Sequence, residues 1–262
     1  MTKNLNFVCY KWGNKYPASY VNKLYAMVKR NIKIPFTFYC VTDNPDGIMV
    51  DVKIADMPTR KLPGNGPKLY TFSKGFLGLN SDEFVVSLDL DIVVTSNLDF
   101  LAERPEQDFL IARHRIRKGP SRVHGAVYRI RVGSHSRIWE NFLVNPEEHA
   151  LLFPGKRGYN AFSEQSWIEE QMKSETIEFF PSNKVISFRA DCNSKPMQKF
   201  SFLNIDKSSL IHRYLVKYFK AKLPNIGEAI VSFSGKVNPE DVMKTHTKTV
   251  RHAPFIEKFW RL

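Results

Sequence analysis

The sequence predicts an α/β fold with an open sheet flanked by helices, and three observations carry that expectation. Residues 5–10 (LNFVCY) read as a strand, apolar side chains from Tyr20 to Val28 recur at helical spacing, and residues 36–41 (FTFYCV) read as a second strand. Strand, helix, strand is the opening of a parallel sheet with a right-handed crossover. Residues 84–94 (FVVSLDLDIVV) form an apolar, β-branched run of the kind that is buried on both faces of such a sheet. Finally, 262 residues that are 43% hydrophobic and 13% aromatic suffice for one full core.

In chain order, the first helix begins near Pro17, acceptable in a first turn, and ends at Lys29-Arg30, which suit its C-terminal dipole. Asp43-Asn44-Pro45-Asp46-Gly47 is a turn, and a short strand is expected at 50–54. Residues 57–67, with prolines and glycines, read as an irregular loop, and 68–77 as a helix with Leu69, Phe72 and Phe76 on one face. Further strands are expected at 109–112, 126–131, 185–188 and 229–233. Helices are expected at 134–145, with Ser134 as N-cap, and at 164–173, with loop between them over 145–163. Residues 208–223 read as an amphipathic helix: Leu210, Ile211, Tyr214, Leu215, Tyr218 and Phe219 oppose Arg213, Lys217, Lys220 and Lys222. No repeat or linker interrupts the chain, so residues 1–262 are expected to form one domain with a basic C-terminal tail.

Asp89 and Asp91 are the anomaly in the central run. An unpaired buried carboxylate costs several kcal/mol or more, so the usual remedy is a cation partner or a metal. Side chains two apart on a strand point the same way, so the pair converges on one ion if the extended geometry persists. The plain alternative is an edge strand with its acids in water, but Val85-Val86 and Val93-Val94 break the alternation it needs. The pair also falls near the C-terminal end of a parallel strand, where ligands bind in open α/β sheets. Two carboxylates there suit Mg²⁺ or Mn²⁺ shared with a diphosphate, and Lys68 adds a further positive charge.

The formal charge of +13 suits a phosphate-bearing substrate, an anionic membrane face or nucleic acid. The basic residues gather at 113–137, 207–222 and 244–261. The 208–223 helix is either core-packed with a solvated basic face or interfacial on anionic lipid. Cys9, Cys40 and Cys192 are expected as buried free thiols in a reducing compartment. With no secretory signal and no run of about 20 apolar residues, a cytoplasmic protein is expected. Glycine-rich phosphate loops and nucleophile-elbow motifs are absent from the sequence.

Taken together, several stretches resemble the bacterial glycosyltransferases related to glycosyltransferase family 8. They are residues 7–25 (FVCYKWGNKYPASYVNKLY), Val41-Thr42-Asp43-Asn44, Gly66-Pro67-Lys68-Leu69, residues 87–93 (SLDLDIV), Glu164-Gln165-Ser166-Trp167-Ile168, residues 185–188 and residues 233–239 (FSGKVNP). The resemblance implies a GT-A fold, the Rossmann-like open mixed sheet flanked by helices of nucleotide-diphospho-sugar transferases. It implies that Asp89 and Asp91 are the D-x-D carboxylates that hold Mn²⁺ or Mg²⁺ and the donor. It assigns Tyr10, Lys11, Trp12 and Asp43 to the nucleotide edge, and Lys68, Gly235 and Lys236 to the donor. Gln165 would lie beside the donor sugar and acceptor.

Three departures stand out. Ser234 occupies the place of a histidine that normally completes the metal site. His124-Gly125-Ala126 replaces an Asn-Ser stretch, making His124 a candidate acceptor contact. Glu164 stands where aspartate is usual. The implied activity is metal-assisted transfer of a sugar, with retention favoured, from a UDP-type donor to a hydroxyl of a surface glycan such as lipopolysaccharide or capsule. Peripheral contact with an anionic membrane would accompany it. The rival readings are a nucleotide-sugar-binding protein that has lost catalysis and a basic nucleic-acid-binding protein.

Overall fold

The computed structural model describes residues 4–115, 123–155, 162–193, 214, 216–224, 227–233, 235, 237–247 and 250–262. The described strands are β1 (Leu5–Lys11), β2 (Phe36–Thr42), β3 (Lys53–Asp56), β4 (Phe84–Leu88), β5 (Ile92–Val94), β6 (Phe109–Arg113), β7 (Val123–Arg131), β8 (Val185–Ser187) and β9 (Ile230–Ser232). The helices used below are α1 (Ala18–Asn31), α2 (Arg137–Val144), α3 (Pro146–Leu152) and α4 (Glu164–Gln171). The chain groups into two compact units, Met1–Asn22 with Ile32–Leu90 and Asp99–Phe180, and Lys23–Asn31 with Asp91–Leu98 and Pro181–Leu262.

The first unit is built on a six-stranded sheet in the order β3-β2-β1-β4-β7-β6. Strands β3, β2, β1 and β4 run parallel, as the strand–helix–strand opening predicts. β7 then pairs antiparallel with β4, and β6 antiparallel with β7, so the sheet is mixed. Every residue of β1 and β4 is buried, which explains why neither shows polar alternation. The second unit holds a three-stranded sheet in the order β5-β9-β8.

Residues 84–94 are therefore not one strand. β4 ends at Leu88, a turn follows at Leu90-Asp91, and Ile92–Val94 find their ladder partners in β9. A chain that leaves one sheet for another needs a turn between them, and the extended geometry that would align Asp89 with Asp91 does not persist. The helix expected over 68–77 is a tighter 3₁₀ helix, Gly66–Phe72, followed after a break by another at Phe76–Gly78. Gly75 makes that break in the left-handed region at φ 63°.

Ser134 does not cap α2. It lies in the turn after Gly133, its hydroxyl 2.8 Å from His135 Nδ1, and the helix starts at Arg137. The expected loop at 145–163 contains α3, announced by an Asn145 side chain that accepts from the Glu148 amide and by Pro146 in the first turn. The third strand starts at Lys53 rather than at Val50, whose side chain is fully exposed. Most of the 208–223 helix lies outside the described residues. Of its expected apolar face, Tyr214 and Tyr218 are in fact exposed, while Val216, outside that face, is buried. The three cysteines are buried and none forms a disulfide, as expected; Cys9 and Cys40 are register partners, and burial pushes the Cys9 thiol up.

Arg129 on β7 is buried completely, and its hydrogen bonds run to main-chain carbonyls. Its guanidinium lies over the Phe84 ring and donates to the carbonyls of Leu101, Glu103, Arg104 and Gln107. Burial pulls its pKa down to about 10, still well above neutrality. The planar fork ties the 101–107 loop together, so Arg129→Met should deprive the buried Leu101 carbonyl and the part-buried carbonyls of Glu103 and Gln107 of their donor and cost about 3 kcal/mol. A urea unfolding midpoint that does not move would contradict that role.

Candidate functional site

The site is built around Lys68. Gly66 precedes it because a Cβ there would come within 2.8 Å of the Phe142 ring, and Pro67 starts the 3₁₀ turn that carries the lysine. The Lys68 ammonium is buried, and its three protons meet three acceptors. It donates to Asp89 Oδ1 at 2.5 Å, to Glu164 Oε1 at 3.0 Å and to the Gly125 carbonyl at 3.2 Å. Its own carbonyl accepts from the Tyr128 hydroxyl at 3.2 Å.

Each acceptor reaches this point for a local reason. Asp89 lies one residue beyond the C-terminal end of β4, with its amide still bonded to the Ala126 carbonyl on β7. Glu164 is the first residue of α4, behind the Ser163 cap, where a carboxylate suits the helix dipole. Its second oxygen accepts from Asn65 Nδ2 at 2.7 Å. Gly125 lies beneath that carboxylate, and a Cβ there would stand 2.9 Å from Glu164 Oε1. Burial on its own would depress the Lys68 pKa, but Asp89 and Glu164 outweigh it and raise the ammonium above the ordinary lysine range. Asp89 is the member that reaches solvent: its side chain is 29% exposed, against 7% for Lys68 and 8% for Glu164.

A second arrangement ties β1 to the turn after β2. Lys11 Nζ donates to the Asn44 carbonyl at 3.0 Å, and Asp43 Oδ2 accepts from the Gly13 amide at 2.9 Å. Trp12 is half-buried against the apolar core. The Tyr10 hydroxyl is buried and paired with the Thr71 hydroxyl at 2.7 Å, so its side chain belongs to the core. Gln165 is half-buried next to Gly125, and the His124 ring meets that of His114 edge-on at 5.2 Å.

The first unit thus gathers Lys68, Asp89, Glu164 and Gly125, with Gln165 adjoining, and separately joins Lys11 with Asp43 and Asn44. Asp91 and Gly235 belong to the second unit, and Ser234 and Lys236 lie outside the described residues. Asn65 and the carbonyl of Gly125 went unseen in the sequence, because an Asn-Gly beside Pro67 reads only as a turn signal. Among the described residues no group of three or more His, Cys, Asp or Glu side chains gathers as a ready-made metal cluster. None of the described helices is long and apolar enough to cross a membrane.

No protein-family model matches this sequence, and no curated protein matches it significantly. Solved structures do. Two crystal structures of the glycosyltransferase GlyE of Streptococcus pneumoniae TIGR4, one of them the apo form, are similar to it at TM-scores of 0.55 and 0.56. Identity is 13% in both cases, over 91% of this chain and 56% of GlyE, so the chain spans little more than half the length of those structures. At that identity the likeness concerns the fold: the open mixed sheet flanked by helices is one that a glycosyltransferase uses.

Gly125 is outside the left-handed region, so what opposes a side chain there is the Glu164 carboxylate, held in place by Lys68 and Asn65. Gly125→Ala should push the Glu164 carboxylate off Lys68 and destabilise the protein by about 1–3 kcal/mol, as overpacking does. Differential scanning calorimetry checks this, and an unchanged melting temperature would show that the carboxylate has room to move.

Proposed function

We propose that the chain is a glycosyltransferase moving a sugar from a nucleotide-diphosphate donor, of the UDP type, to a hydroxyl of a surface glycan such as lipopolysaccharide or capsule. The observation that carries the reading is Asp89, presented by Lys68 just beyond the C-terminal end of β4, in a fold that a glycosyltransferase also uses. Ligands of open α/β sheets bind at that edge. The resemblance to family 8 extends the reading to a retaining transfer.

The donor set suits a hard divalent cation. Mg²⁺ and Mn²⁺ accept one or two carboxylates and take their remaining ligands from phosphate and water. Asp89, which keeps an oxygen not bonded to Lys68, would hold it, and the bound ion would neutralise charge on the departing diphosphate. The Lys11–Asn44 and Gly13–Asp43 bonds stiffen the edge that would receive the nucleotide. Gln165 and His124 would face the sugar and acceptor.

A lipid-linked acceptor would bring the enzyme to an anionic membrane face. Tyr214 and Tyr218 support this: exposed aromatics stacked at 5.9 Å, beside the exposed Lys217 and Lys220. Aromatic rings with adjacent cations are the composition of an interfacial surface.

Two measurements test these readings. Calorimetry should show UDP binding that requires Mn²⁺ and is weakened at least about 10-fold by Asp89→Ala or Asp91→Ala. Undiminished affinity would remove the carboxylates from the donor site, and binding without sugar release from any donor would favour a non-catalytic binder. Replacing Lys217 and Lys220 together with Glu should abolish sedimentation with phosphatidylglycerol vesicles while sparing UDP binding; persistent sedimentation would place membrane contact elsewhere.

A further inference from the structure

Glu164 occupies a position where direct contact with the donor would be expected, yet its carboxylate is buried and both of its oxygens already accept hydrogen bonds from the protein. One oxygen is taken by Lys68 and the other by Asn65, the side chain is buried, and the backbone of Gly125 closes against it. Lys68 is equally committed, with all three protons placed. We propose that Asn65 and Glu164 are positioning residues that act through Lys68 to fix the Asp89 carboxylate, without touching ligand. This rests on the donor-site reading of Asp89.

The physical reason is a division of charge. Held between two carboxylates, the ammonium gives Asp89 only part of its charge and leaves that carboxylate attractive to a divalent cation. If the Asn65–Glu164 pair loses its single negative charge, the whole ammonium falls on Asp89 and competes with the incoming cation. Asn65 matters because its amide orients the Glu164 carboxylate so that the other oxygen faces Lys68.

A reciprocal pair of variants tests this, with Mn²⁺ alone and then Mn²⁺ with UDP titrated by calorimetry. Glu164→Gln places an amide against the Asn65 amide, and Asn65→Asp places a carboxylate against Glu164. Each should weaken binding about 10-fold or more, the usual cost of losing a partner behind a metal ligand. The double variant Asn65→Asp/Glu164→Gln reverses the hydrogen bond, because the amide introduced at 164 can donate to the carboxylate introduced at 65. It should recover affinity to within about threefold of the parent, a coupling that independent sites do not show. Melting temperatures establish that every variant is folded. Singles with unchanged affinity would overturn the inference, and so would a double variant no better than the worse single, since Glu164 would then act on ligand directly. A parent protein that binds neither probe would overturn the donor-site reading as well, whereas parental binding with indifferent variants would overturn only this inference.

Discussion

One ammonium with three acceptors sets the geometry of the candidate site. Lys68 joins four segments far apart in sequence: its own 3₁₀ turn, the end of β4, the start of β7 and the first residue of α4. A buried lysine is tolerable only when its charge is matched and its protons are placed. The sheet order makes that possible. Because β7 returns antiparallel beside β4, the Gly125 carbonyl near its start comes level with Asp89 beyond the end of β4.

The first unit contains a second buried cation, and it is handled in the opposite way. Arg129 meets main-chain carbonyls, and burial draws its pKa downward; Lys68 meets two carboxylates, and its pKa moves upward. The choice of residue follows from the partner. A planar fork can serve several carbonyls of one loop, whereas a compact ammonium fits among three converging acceptors. One cation closes a loop and the other holds a partly exposed carboxylate at the end of a strand.

Much of this was legible in the chain. Helical spacing from Tyr20 to Val28 and the apolar runs at β1 and β2 identified the opening of the sheet, because buried strands and amphipathic helices write their periods into sequence. The location of Asp89 at a strand end followed from the same reading. The break after Leu88 was hidden, since Ile92–Val94 are as apolar and β-branched as β4 and only a partner strand far along the chain separates them. The Lys68 bracket was hidden for a related reason. Its contacts span 21, 57 and 96 residues, and no local pattern reports which carboxylates a lysine will meet.

The glycine at 125 and the carboxylate of Glu164 share one volume. A Cβ at 125 would stand 2.9 Å from Glu164 Oε1, so a side chain at 125 has to displace the acid that Lys68 holds. A shorter acid at 164 would free that space at the cost of reach to the ammonium. Substitutions at 125 and 164 should therefore be non-additive: what one position tolerates depends on the residue at the other.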